Sequence, residues 1–290
     1  MATRVKYISP TSITPSQLPL VIGYFGCVHV MHAELLRRYH HFNVLTFTDY
    51  PQKKDSQIYS FKERIHNIEK FRPDNIFIYD LNKNNMIADQ FIQKVLLKIR
   101  PSVILVGNDF KFGSDSQSHT ILRRNFQVNT INYNPSISST KIAELLRQGK
   151  IDQANNLLYS PYYYISKWIG GAHRGKTMGI RTINLLIDHP VFVPSGSYVS
   201  RLTIGRHTYR AVTFYGKSLV FNSPQETLET HVIGRSIPPR VLVPGAVKEQ
   251  VKVEFLSYIR QPLNFPTKED LANTIRNDIK IAKQYFEQNK

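Results

Sequence analysis

A single cysteine, Cys27, rules out an internal disulfide and with it the stapled scaffolds of small secreted domains. No apolar run approaches the roughly 20 residues that a membrane-spanning helix needs. Nor does a basic start lead into an apolar stretch at the N-terminus. The expectation is a cytoplasmic protein without a membrane partner. Acidic residues are also scarce, with 21 Asp and Glu against 38 Lys and Arg and a formal charge of +17. Such a balance suits an anionic partner: nucleic acid, an anionic membrane surface or a phosphorylated small molecule. The basic residues are scattered and form neither a tail nor a helix stripe. They read as a solvated surface with some phosphate ligands among them.

What is present is enough hydrophobic content, 41% of 290 residues, for two cores of ordinary size. The first half alternates short apolar strands, at 20–25, 43–48, 75–79, 102–106 and 128–131, with helical stretches. Residues 61–71 and 86–99 carry apolar side chains at helical spacing, for example Ile87, Phe91, Val95 and Ile99. Alternation of this kind predicts a parallel sheet covered by helices, with ligands at the carboxyl ends of its strands. From Tyr159-Ser160-Pro161 onward the texture changes. Runs rich in β-branched and aromatic residues at 162–169, 197–204, 207–214, 227–233 and 250–258 follow one another without helices, which points to an antiparallel barrel. A last helix starts at Thr267 with Asp270 three residues on, as in a capping box, and has Leu271, Ile275, Ile279, Ala282 and Phe286 on one face. The boundary is placed at 158–161.

Three segments of the first half favour an anion. The run GYFGCVHVMH, 23–32, sets His29 and His32 three residues apart where a strand gives way to a helix, whose N-terminal N–H groups and dipole favour phosphate. On spacing alone the pair is equally compatible with two satisfied histidines. VGNDFKFGSDS, 106–116, follows another strand and opens onto the same sheet edge. ISSTKIAELL, 137–146, begins a helix with Ser138, Ser139 and Thr140, which read either as anion contacts or as an ordinary cap. In the second half GGAHRGKTMGIRTIN, 170–184, is too rich in glycine and basic residues for a strand. It reads as a phosphate-cradling loop or a basic surface hairpin. The oxygens of Thr182 and Asn184 are hard donors that suit Mg²⁺.

Taken together and in this order, the motifs resemble the bacterial bifunctional riboflavin kinase/FAD synthetase family over about residues 18–285. GYFGCVHVMH is similar to the family's GxFDGxHxGH at Gly23, Phe25, His29 and His32, with Gly26, Cys27 and Met31 in place of Asp, Gly and Gly. GNDFKFG is similar to GxDFRFG, ISSTKI to SSTRI with Lys141 for Arg, and GGAHRGKTMGIRTIN to GxGRGxxLGFPTAN. TLETHVI resembles the strand that carries the kinase's catalytic glutamate, here Glu229, and the closing strand and helix entry also match.

The resemblance implies a nucleotidyltransferase-like, Rossmann-like α/β domain at 1–158 and a riboflavin kinase-like antiparallel β-barrel with a terminal helix at 159–290. It further implies riboflavin, FMN and ATP as substrates, with Mg²⁺ at Thr182 and Asn184. Glu229 would accept or orient the riboflavin hydroxyl proton. Gly171, Arg174 and Gly175, with Thr182 and Asn184, would hold ATP in the kinase half. Gly23, Phe25, His29 and His32 would hold the nucleotide in the first half, with Asp109 and Ser139 as further contacts. The kinase motifs are the better kept. Two other readings stand beside a bifunctional enzyme: a kinase with a lapsed first domain, and a non-enzymatic paralogue that binds flavin or nucleotide and uses its positive surface on nucleic acid. No nucleic-acid motif supports the last. Another nucleotidyltransferase would share the HxxH geometry but leaves the barrel unexplained.

Overall fold

The structure, a computed structural model, describes residues 3–48, 57–132, 134, 136–169, 182–217, 226–234 and 250–289. The chain divides into two compact units, Met1–Ile142 with Leu157–Tyr159, and Ala143–Asn156 with Ser160–Lys290.

The first unit holds β1 (Arg4–Ile8), β2 (Leu20–Ile22), β3 (Asn43–Phe47), β4 (Asn75–Tyr79) and β5 (Ile104–Gly107), then a small hairpin of β6 (Lys111–Phe112) and β7 (Gln117–Ser118), then β8 (Val128–Ile131). Apart from the hairpin these strands form one parallel sheet in the order β1-β4-β3-β2-β5-β8. Its central strands are apolar runs because both faces are covered. The pleat sorts alternate residues to opposite sides: Leu20, Ile22, Leu45, Phe77 and Ile104 enter one core, and Val21, Val44, Ile76 and Leu105 the other. Helices α1 (Val30–Leu36) and α2 (Phe61–Glu69) cover the second face. The first face is covered by α3 (Ala88–Phe91), a π-helical turn at Ile92–Leu96, and α4 (Leu97–Ile99).

The sequence predicts one continuous helix over 86–99, and the π turn departs from that. Apolar residues four apart overrun a 3.6-residue turn, and the wider turn brings Phe91, Val95 and Ile99 all into the core. β1 was not expected, because four of its five residues are exposed and leave no buried periodicity. β2 lies between β3 and β5, so the chain leaves it towards β3 and β4 and later resumes on its other side with β5 and β8. The carboxyl ends of β2 and β5 therefore flank a topological switch point, where an open α/β sheet leaves a crevice.

Helix α5 (Ser139–Arg147) precedes α6 (Ile151–Leu157). The second unit then has β9 (Tyr163–Ser166), β10 (Trp168–Ile169), β11 (Thr182–Leu185), β12 (Gly196–Ile204), β13 (His207–Lys217), β14 (Glu226–Val232) and β15 (Val251–Arg260). They pair antiparallel in the order β10-β11-β14-β13-β12-β15-β9. Only Lys167 separates β9 from β10, so one segment stands at both ends of that order, and Leu186 N–H donates to the Lys167 carbonyl at 3.0 Å. Among the described residues the sheet thereby closes on itself as a barrel. Tyr198, Thr213, Thr230 and Ile183, paired in one row, are buried on one face. On the other, Val199 and Val212 meet Ala282 and Phe286 of α7 (Lys268–Gln288), which starts with the expected Thr267–Asp270 capping box. Parallel α/β unit and antiparallel barrel with a terminal helix are as the sequence predicts.

Candidate functional site

A cavity of about 650 Å³ opens at the switch point of the parallel sheet. The three anion-favouring segments meet there: Gly23, Phe25, His29 and His32 from the first, Asp109 and Lys111 from the second, and Ser138, Ser139 and Thr140 from the third. Gly26 and Met31 also line it. Apolar and amide-bearing side chains line it as well, among them Phe47, Leu81, Asn84, Met86 and Phe91. Polar and apolar groups lining one cavity suit a ligand made of a phosphate chain and a ring.

The two histidines are side by side. His29 is the N-cap of α1 in extended conformation, and its Nδ1 accepts the backbone N–H of His32 at 3.3 Å. The imidazoles stack with centroids 3.7 Å apart and planes 19° from parallel. His32 Nδ1 lies 2.9 Å from the Cys27 carbonyl. The segment before the second unit fixes the entry to this helix: Tyr159 N–H donates to the Val28 carbonyl at 3.0 Å and Leu158 forms a bridge with His29. Burial, and secondarily the neighbouring His32, lower His29 to about 3. Burial lowers His32 to about 4, against the opposing pull of the Cys27 carbonyl and the Asp109 carboxylate. Both rings are neutral at pH 7 in this state.

The turn leading to them is held under strain. Phe25 has φ +53°, a left-handed conformation that costs a bulky residue about 1–2 kcal/mol. Its ring is 1% exposed, sits over Gly23 and meets His32 edge-on with centroids 5.1 Å apart. A Cβ on Gly23 would lie 2.7 Å from Phe25 Cζ, so only glycine leaves room for that ring. Gly107 plays a similar part for Asp109, whose Oδ1 would be 2.7 Å from an added Cβ. Cys27 is fully buried, its thiol donates to Ser139 Oγ at 3.3 Å, and burial raises its pKa to about 12. Ser138 is the ordinary cap, its Oγ accepting Lys141 N–H at 3.2 Å, while Ser139 and Thr140 face the cavity.

Sequence reasoning missed Arg64. It is 0% exposed, its Nη2 donates to the carbonyls of Tyr24 at 2.7 Å and Phe47 at 2.9 Å, and its guanidinium stacks 3.9 Å from the centre of the Tyr24 ring. It braces the residue before Phe25 from beneath. The only signal in the sequence is an arginine on the apolar side of the helical run 61–71, beside Phe61, Ile65 and Ile68.

A second constellation lies on the barrel. Asn184 is the cross-strand partner of Glu229, and Thr182 that of His231. Thr182 and Asn184 share one face of β11, and Glu229 and His231 the same face of β14, since alternate residues of a strand point the same way. That face is the one opposite the buried Ile183 and Thr230. Direct partners have Cβ atoms about 4.5–5.5 Å apart. Two neutral oxygen donors beside a carboxylate form a donor set that Mg²⁺ accepts together with phosphate oxygens. Gly171, Arg174 and Gly175 of the expected phosphate loop lie outside the described residues. No described helix is long and apolar enough to cross a membrane.

The family model described as FAD synthetase matches residues 12–141, and that described as riboflavin kinase matches 158–286. The chain is 32% identical over 269 residues to the trifunctional protein RibF/MnmA of Mycoplasmoides gallisepticum, covering 92% of this chain and 40% of that protein. It is 30% identical over 277 residues to the bifunctional riboflavin kinase/FMN adenylyltransferase of Mycoplasma pneumoniae, covering 94% of this chain and 98% of that one. The chain thus spans less than half of the first relative and nearly all of the second. A crystal structure of a macrolide-efflux protein from Streptococcus pneumoniae matches with a TM-score of 0.81 over 96% of this chain and 98% of that one, at 24% identity, a likeness of fold.

Proposed function

Because the chain belongs to the bifunctional riboflavin kinase/FMN adenylyltransferase family, we propose that it makes FMN from riboflavin and FAD from FMN, with ATP as co-substrate of both steps. The two activities divide at about residue 158, adenylyl transfer belonging to 1–158 and phosphoryl transfer to 159–290. The observation that carries the reading is the meeting of three sequence segments, two histidines among them, in one cavity at the switch point.

In the first domain a phosphate oxygen of FMN attacks the α-phosphorus of ATP, and the bond to pyrophosphate breaks with its electron pair leaving on the pyrophosphate oxygen. No covalent nucleophile of the protein is required; the work is positioning and charge stabilisation. His29, Ser139 and Thr140 contact phosphate oxygens, Gly23 and Phe25 shape the floor, and Asp109 accepts from a nucleotide N–H or O–H. In the barrel Glu229 orients the riboflavin 5′-hydroxyl and accepts its proton as that oxygen attacks the γ-phosphorus. Thr182 and Asn184 would hold Mg²⁺, which offsets negative charge on the phosphates when bound. Gly171, Arg174 and Gly175 complete the ATP site of this half. A cytoplasmic location accords with these substrates.

The test is incubation of the purified chain with riboflavin, ATP and Mg²⁺, followed by chromatographic separation of riboflavin, FMN and FAD, and a repeat from FMN. Both products are expected. FMN alone would leave only the kinase half of the reading, and neither product in the presence of flavin binding would replace it by the non-enzymatic alternative.

A further inference from the structure

We propose that His29 and His32 are locked in opposite tautomers, so that His29 is a fixed neutral donor at Nε2, whereas His32 takes up one proton at Nε2 when a polyphosphate enters the cavity. The inference rests on the nucleotide-binding reading of that cavity and assigns the two histidines different roles within it.

The backbone dictates the assignment. His29 Nδ1 accepts the His32 N–H, so it must carry a lone pair, and the ring proton sits on Nε2. Protonating Nδ1 would break the N-cap of α1. His32 Nδ1 faces the Cys27 carbonyl, which can only accept, so it must carry the proton and leave Nε2 bare. A bare Nε2 repels phosphate oxygens and a protonated one donates to them. Adding that proton disturbs no hydrogen bond His32 already makes and strengthens the one to the Cys27 carbonyl. Stacking at 3.7 Å disfavours a second cation, so the pair carries one charge.

The surroundings agree. Among described ionisable groups lining or adjoining the pair, Asp109 favours charge on His32, and Lys111, from the same stretch of chain, also lines the cavity. Cys27 stays a thiol, burial raises Tyr79 to about 12, and Tyr24 lines the wall beside it. β5 and β8, which pack on α1, carry no ionisable side chain, and α5 offers hydroxyls to the cavity. Burial keeps His32 neutral until a ligand's negative charge arrives. The proton comes from solvent and returns there when the polyphosphate departs; no covalent bond is made or broken.

The experiment is nitrogen NMR of the whole chain labelled with ¹⁵N-histidine, at pH 8, without and with saturating ATP. His29→Asn, which keeps a cap acceptor, and His32→Asn, which keeps a donor to the Cys27 carbonyl, assign the two signals. Without ATP, His29 should give the Nε2–H tautomer and His32 the Nδ1–H tautomer. With ATP, His32 Nε2 should shift from the lone-pair to the protonated position while His29 keeps its tautomer. If both signals respond to ATP but His32 stays neutral, or His29 becomes the cation, the proposal falls and the nucleotide site stands. If neither signal responds, the proposal and the adenylyl-transfer reading fall together.

Discussion

Replacing Gly23 by Ala tests whether the turn beneath the histidines is as tightly fitted as its geometry implies. The new Cβ would stand 2.7 Å from Phe25 Cζ and 3.0 and 3.1 Å from the two Cε atoms. Real Cβ contacts are not that short, so the ring must move. It is 1% exposed and packed among Val21, Val28 and Leu35, which leaves it the direction of His32, its edge-on neighbour at 5.1 Å. Overpacking of this size costs about 1–3 kcal/mol. Spent on displacing His32 from the reacting phosphates, and at about 1.4 kcal/mol per decade, it slows FAD formation by about 5- to 150-fold. The assay compares FMN-to-FAD and riboflavin-to-FMN rates in the same preparation. The kinase rate, which belongs to the other compact unit, reports that the chain is folded. Adding Phe25→Leu, which removes the ring edge, should restore part of the loss. A folded Gly23→Ala chain that makes FAD at the original rate would refute the coupling from Gly23 through Phe25 to His32.

Glu229→Gln keeps shape and removes the proton acceptor, so FMN formation should drop by at least about 100-fold with riboflavin binding retained; an undiminished rate would mean another base. Asp278 is 2% exposed and accepts from Ser197 Oγ at 2.9 Å and from Arg260 Nε and Nη2 at 3.0 and 2.8 Å, fastening α7 to the barrel. Asp278→Ala strands a half-buried guanidinium and should cost about 3–5 kcal/mol in urea unfolding, with a loss under about 1 kcal/mol counting against the fastening. His32 is lowered from 6.5 to about 4, so its neutral form stabilises the fold fully above pH 6.5, and this contribution is lost as pH falls through about 4. Between pH 7 and pH 5 the wild-type chain should lose about 2 kcal/mol more than His32→Asn, and equal losses would exclude that contribution.

How much of this was legible in the sequence depends on how local the cause is. The strands at 43–47 and 75–79 announce themselves because a parallel strand covered on both sides is apolar at most of its positions, and the two helix-capping residues of α7 lie three apart in the chain. β1 carries no such mark: its Arg4, Val5, Lys6 and Tyr7 are exposed, and only pairing with β4 makes it a strand. Arg64 and Asp278 stand on the apolar faces of their helices, and what the sequence hides is their partners far along the chain, the carbonyls of Tyr24 and Phe47 for one and Arg260 for the other. Glu229 and Asn184 were each legible by resemblance. That they face each other across one ladder is a matter of register, which no composition reveals.

The places where this chain departs from the resembled pattern can be sorted by where their side chains go. Cys27 stands at a glycine position, yet it is fully buried, is not among the residues lining the cavity and points its sulfur at Ser139. With a thiol pKa of about 12 it remains a donor at every pH at which the protein works, so it ties the first segment to the third. A side chain that sits beneath the cavity and joins two of its walls is compatible with nucleotide binding. Gly26 and Met31 do line the cavity. The first removes a carboxylate from a place built for anions, which lowers repulsion towards a triphosphate. The second adds an unbranched thioether with three rotatable bonds, the side chain best able to move out of a ligand's way. None of the three alters the two histidines, their backbone anchors or the strained Phe25 that seats them. The geometry on which the proposed adenylyl-transfer site rests therefore survives substitutions that make its motif hard to read.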